Sequence, residues 1–285
     1  MSVGTSTFGT PQTGSAGTSA SYTGLTVPSG SSNPAIICGL ALYPSGGVAA
    51  AGISATWDFG GTNQAMDFIG SAPTVAGSDY IILFGLVNPT PGALTLHITW
   101  TNTQIPNIMA NHLTGVDQTG GATTWLNFST NALTSASPSF NVGATYNSGA
   151  SPSNTSLLYA AMTIQASTLT GVGSASSWWT SNNFNASPVR SAGGQYTLPT
   201  TSTNTLSWTL GASAACAMAG IEIKPAAGPG FTALAGQSPE VTRLVKAGMP
   251  RGLAGMPPLI TASLPIVAVA PPTNKGSTLP MMGVG

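Results

Sequence analysis

Tyr80–Trp100 reads YIILFGLVNPTPGALTLHITW, and its pattern decides the fold class. In an extended chain Leu94, Leu96, Ile98 and Trp100 fall on one side, and Thr95, His97 and Thr99 on the other. Asn88-Pro-Thr-Pro-Gly92 is turn chemistry, because proline presets φ and glycine accepts positive φ. The spacing predicts a hairpin between Tyr80–Val87 and Leu94–Trp100. Outward from it, Ala35–Leu42, Gly52–Trp57, Leu157–Ala166, Leu206–Leu210 and Ala214–Lys224 read the same way. Roughly ten to twelve short strands without helical periodicity predict an all-β protein, a two-sheet antiparallel sandwich of jelly-roll-like form.

Charge is the second constraint. The first Lys or Arg is Arg190, and the acids before it are only Asp58, Asp67, Asp79 and Asp117. Charged residues make up 4% of the chain, against about a quarter in an ordinary soluble protein. Nucleic acid is therefore excluded as a partner, since phosphate contact draws mainly on Lys and Arg. Ser and Thr form about a quarter of the residues, so a surface of hydroxyls and amides, indifferent to salt, is expected. Zero net charge favours association, so a homo-oligomer or larger assembly is the expected setting.

The little charge there is segregates. Residues 1–225 carry a net of −3 and residues 226–285 a net of +3. Composition divides the chain at the same place. Residues 1–20 read as a flexible N-terminal arm, 21–225 as the β-sandwich and 226–285 as a Pro-rich C-terminal arm. SPEVTRLVKAG predicts one short helix over 238–248, with Ser238 as N-cap, Pro239 in the first turn and Gly248 at the close. Val241, Leu244 and Val245 form its apolar stripe, and with Arg243, Lys246 and Arg251 they are the candidate assembly anchor. The opening MSVGTSTFGTPQTGSAGTSA has neither the basic start nor the apolar run of a leader. No stretch is apolar for long enough to suggest a membrane partner.

Chemistry is sparse. Asp58-Phe59-Gly60 matches a kinase tripeptide but lacks every companion motif, and reads as a turn. Alternation puts His97 on the polar face of its strand, and His112 lies five residues before Asp117 with nothing else to mark a triad. No catalytic, cofactor-binding or metal-binding set is expected. Cys38 and Cys216 fall in buried strand patterns and read as inert thiols, although spacing alone leaves a bond between them open. Trp178 and Trp179, followed by Asn182 and Asn183, are the candidate glycan-binding residues, because exposed indoles flanked by amides stack on sugar rings.

The segments GLTVPSG, AIICGLAL, WDFGGTNQAM, GLVNPTPGALTLHITW, LTGVDQTGG and SWTLGASAACAMAGIEIKPA follow one another in a familiar order. Over roughly residues 22–225 the chain resembles β-sandwich modules common in phage-derived and environmental sequences. The resemblance implies a non-catalytic part of a virion surface protein, fibre or adhesin. The expectation is a non-enzymatic virion structural protein, such as a phage capsid decoration, head-fibre or tail-associated protein. It would reside in the virion, anchored through its arms to other virion proteins. The alternative is a carbohydrate-binding module of an adhesin or receptor-binding fibre, holding a host glycan through Trp178 or Trp179.

Overall fold

The computed structural model describes residues 2–44, 51–75, 79–142, 156–165, 167–172, 189–197 and 204–227. These residues form antiparallel β-sheet almost throughout. The first half contains β1 (Gly4–Phe8), β2 (Gln12–Thr13), β3 (Gly17–Tyr22), β4 (Ala35–Pro44), β5 (Ser54–Trp57), β6 (Gln64–Ala65), β7 (Asp67–Pro73), β8 (Tyr80–Val87) and β9 (Leu96–Thr114). A 3-10 turn, Gly121–Thr123, leads into the second half. There follow β10 (Trp125–Ser135), β11 (Ser139–Val142), β12 (Leu157–Gln165), β13 (Leu169–Val172), β14 (Val189–Thr197), β15 (Asn204–Leu210) and β16 (Ala214–Ile223). The helix expected over 238–248 and residues 228–285 of the C-terminal arm lie outside the described residues.

The first half makes one nine-stranded sheet in the order β6-β5-β9-β4-β8-β7, with β1, β2 and β3 laid along β9. Strand β9 is 19 residues long and changes partners midway. Its first part pairs with β3 and β5, and its second part with β1 and β4. Asn102, with φ of 64°, stands where the partners change. Asn tolerates this left-handed conformation better than most residues, and so permits the bend. The second half builds a four-stranded sheet, β10-β16-β12-β14, and a three-stranded one, β11-β15-β13.

Side-chain alternation divides the interior into three cores. Ile36, Cys38, Leu40 and Leu42 on β4 face a core closed by Trp57, Leu96, Ile98 and Trp100. Ile37 and Ala41 on the opposite face of β4 meet Tyr159, Ala161, Ala217 and Ala219 from the second half. Leu158, Met162, Cys216 and Met218 fill the third core with Trp208 and Leu210. Strands β4, β8, β12 and β16 are thus covered on both faces, which is why they read as unbroken apolar runs rather than alternating ones.

Two sequence expectations need correction. Strands β8 and β9 do not form a hairpin: β4 lies between them and pairs with both. Asn88–Gly92 is a crossover, and Asn88, with φ of 49°, turns the chain out of β8 toward the other part of the sheet. The segment 1–20 is not a free arm over its described residues. Strands β1, β2 and β3 all pair with β9, and Val3 and Tyr22 are buried. Backbone hydrogen bonds rather than apolar bulk hold this segment, so its composition gave no warning. At Gly9 the approach is so close that a Cβ would lie 2.2 Å from the Ala110 carbonyl oxygen, a position only glycine can occupy.

The two thiols are free and sit in different cores, with the shared core between them. Burial raises both, Cys216 to about 12 and Cys38 further still. Thiolate is the reactive form, so attack by a thiol reagent must wait for unfolding. Labelling of the native protein by Ellman's reagent is expected to run at least about a thousandfold slower than in denaturant, given ordinary domain stability. Rapid stoichiometric labelling would contradict this placement.

Candidate functional site

Where β7 passes β10, each strand carries a β-bulge. The register of β7 against β8 shifts between Phe68 and Gly70, and that of β10 against β16 shifts between Leu126 and Ser129. A bulge adds a residue, bends its strand and re-aims the side chains beside it. These two bulges flank a groove of about 570 Å³ lined by Asp67, Ile69, Gly121, Trp125, Asn127 and Phe128, among others. It runs between β7 and β10, the edge strands of the nine-stranded and four-stranded sheets among the described residues, with Gly121 and Ala122 of the 3-10 turn beside it.

Asp67 is fixed at the start of β7. Its Oδ2 accepts hydrogen bonds from the indole N–H of Trp125 and the backbone N–H of Gly121, both at 2.9 Å. Its Oδ1 accepts none from the described residues. Trp125 is only 5% exposed and belongs to the shared core. A Cβ on Gly85 would stand 2.3 Å from the indole ring, so Gly85 makes room for it. The half-buried ring of Phe128 lies as closely over Gly70. Asn127, held at φ of 53°, donates from its amide to a Glu222 carboxylate oxygen at 2.7 Å. Burial raises Glu222 above the ordinary carboxylate range, against the opposing bonds from Ser156 and Asn127.

The other polar groups do different work. Burial alone would raise Asp117, but hydrogen bonds from Thr119, Lys224 and Thr124 outweigh it and hold the carboxyl below its ordinary range. Its ion pair with Lys224 spans 3.1 Å and ties the end of the second half to the loop after β9. Asp58 is likewise held low, by the backbone N–H and hydroxyl of Thr62, in a turn as the sequence suggested. His97 lies on the outer face, stacked on Phe59 with ring centroids 4.1 Å apart and bonded to the Ser21 hydroxyl. His112 is fully buried, with neither ring nitrogen bonded, and burial depresses its pKa. No three His, Cys, Asp or Glu side chains among the described residues converge in a way that could hold a metal ion.

The residues nominated from sequence are not those of the groove. Trp178 and Trp179 lie outside the described residues, as do Val241, Arg243, Leu244, Val245, Lys246 and Arg251. The groove went unread because Asp67 and Trp125 are 58 residues apart and neither belongs to a local motif. It brings together one oriented acceptor, two aromatic rings and backbone at a bent edge. The chain matches no family model, no curated protein and no solved structure.

Proposed function

We propose that the chain is a non-enzymatic structural protein of a virion, a capsid decoration, head-fibre or tail-associated component anchored through its C-terminal arm. One observation carries this reading, the strand order of each half. In the second half successive strands alternate between two sheets, β10-β16-β12-β14 and β11-β15-β13. In the first half two rows, β1-β9-β4-β8 and β3-β9-β5-β6, can be traced with β9 serving both, although β5 and β6 follow each other in one row and β7 pairs directly with β8. This strand order supports two jelly-roll-like sandwiches in tandem, an architecture that recurs in capsid and lectin domains. Fold alone does not set function. The near absence of charge before Arg190 supports an inert building block over an enzyme, because acid–base catalysis needs titratable groups in one cleft.

Deleting 228–285 tests the anchoring. The truncated body is expected to fold, because Lys224 and Ala226 are already bonded to the body through Thr124 and Gly115. It is also expected to lose its place in the particle, with occupancy down about tenfold or more, since extended arms are ordered through many weak contacts. Full occupancy by the truncated protein would overturn the role of the arm.

The groove between β7 and β10 favours a second reading, the carbohydrate-binding module of an adhesin or receptor-binding fibre. In the sequence that role falls to Trp178 and Trp179. A glycan array probed with the intact protein and with a Trp178→Ala/Trp179→Ala double variant tests it, and no glycan signal from the intact protein would remove it.

A further inference from the structure

We infer that the groove between β7 and β10 is a binding site for a neutral saccharide, with Asp67 as its orienting acceptor. The inference deepens the second reading above and moves its site from Trp178 and Trp179 to the described part of the body.

The first argument is the state of Asp67. Two N–H donors on Oδ2 fix the carboxylate in one orientation, and Oδ1 has no partner among the described residues. A fixed acceptor at the wall of a concave groove suits a hydroxyl donor, because the cost of ordering the side chain has been met before the ligand arrives. The second argument is the wall. Trp125 and Phe128 line the same groove as Asp67, and flat apolar rings beside one oriented polar group make the usual lining of a small-molecule site. The third argument is the pair of facing bulges. One bulge would be an irregularity, whereas one on each flanking strand parts the two sheet edges and makes the space.

Charge narrows the ligand. The described residues contain two cationic side chains, Arg190 and Lys224, and neither lines the groove. Lys224 is committed to Asp117. A sulfated, phosphorylated or sialylated sugar would meet the Asp67 carboxylate with no counter-charge. A neutral sugar instead offers hydroxyl donors to Oδ1 and a C–H face to the half-buried Phe128 ring. With one acceptor, the half-buried Phe128 ring and a nearly buried Trp125, a dissociation constant on the order of 1 mM is expected for a disaccharide.

The test is saturation-transfer difference NMR on the full chain with maltose, cellobiose, lactose and chitobiose, with sialyllactose as the acidic probe. The expected result is a signal from at least one neutral disaccharide and a weaker one from sialyllactose than from lactose. Two variants locate it. Asp67→Asn keeps an oxygen to receive Trp125 and Gly121 but turns an N–H₂ donor toward the groove. Ala122→Trp fills the groove from an exposed position on its rim. Each is expected to weaken binding about tenfold or more, the effect of losing one good polar contact to a ligand. Phe8→Ala, which removes an exposed ring elsewhere, is expected to leave binding unchanged. Near-UV circular dichroism confirms that each variant keeps its native packing.

The inference is overturned by no signal from any neutral disaccharide, by a signal that survives both groove variants, or by stronger binding of sialyllactose than of lactose. If the signal disappears in the Trp178→Ala/Trp179→Ala variant and persists in Asp67→Asn, the carbohydrate reading stands and this site falls. Binding of lysine methyl ester without any saccharide assigns the groove to a cation and also overturns it.

Discussion

Trp125→Ala is expected to destabilise the protein by about 3–5 kcal/mol, the range for deleting a buried aromatic side chain from a core. The indole is 5% exposed and packs in the core shared by both halves of the chain. Its loss leaves a cavity against Gly85 and removes the donor that fixes Asp67 Oδ2. The reciprocal change is expected to be costly for the opposite reason. Gly85→Ala places a Cβ 2.3 Å from the ring, and overpacking of this kind costs about 1–3 kcal/mol. The two substitutions should not add. Once the indole is gone the new methyl has room, so Gly85→Ala in the Trp125→Ala background should cost about 1 kcal/mol or less. Urea denaturation of the four proteins measures the cycle. Additive losses, or a Trp125→Ala loss below about 1 kcal/mol, would show that the shared core does not join the two halves as described.

Acidification from pH 7.5 to pH 5 is expected to cost stability on the order of 1 kcal/mol through His112. His112 is buried between Thr7 of β1 and Ile36 of β4, its strand neighbours, and neither nitrogen has a partner to share a proton. Burial holds its pKa below the ordinary 6.5. Above that value the imidazole is neutral in both folded and unfolded chains, and its contribution is complete. As pH falls through 6.5 the unfolded chain takes up a proton that the folded one resists, and stability is lost. Glu222 works in the opposite sense. Its carboxyl is raised above the ordinary 4.5 by burial, so the native state gains as the pH falls toward that value. Comparison with His112→Phe, aromatic and unable to titrate, separates the two, each protein being referred to its own stability at pH 7.5. The variant should lose the acid-side decline between pH 7.5 and 5 and keep the gain from Glu222. A decline unchanged in His112→Phe would place the acid sensitivity elsewhere.

The legible part of the fold is the part governed by side-chain burial. Leu96, Ile98 and Trp100 are buried, and His97 and Thr99 face outward, as their alternation requires. The apolar runs at β4, β8, β12 and β16 were recognisable because their strands are covered on both faces. What composition hid is held by the backbone. Among the described residues strand β10, Trp125–Ser135, pairs only with β16, and most of its side chains are polar and at least partly exposed, so it leaves little periodic trace. Strands β1 to β3 are mostly Gly, Ser and Thr, with Tyr22 their one fully buried aromatic, and yet β9 holds all three. Crossovers are hidden in a different way. Nothing in Asn88–Gly92 distinguishes a turn between neighbours from a passage to the other part of the sheet, because the same residues serve both. The groove depends on a contact between Asp67 and Trp125 across two sheets, and only tertiary structure brings them together.

The central claim is that this charge-poor body is a building block of a particle. Quantitative mass spectrometry of purified particles encoded by the same genome tests it most directly. The chain is expected to be retained at a fixed ratio to the principal shell protein, in many copies per particle. Its absence from the particles, with the chain recovered only from the free soluble fraction, would contradict the claim.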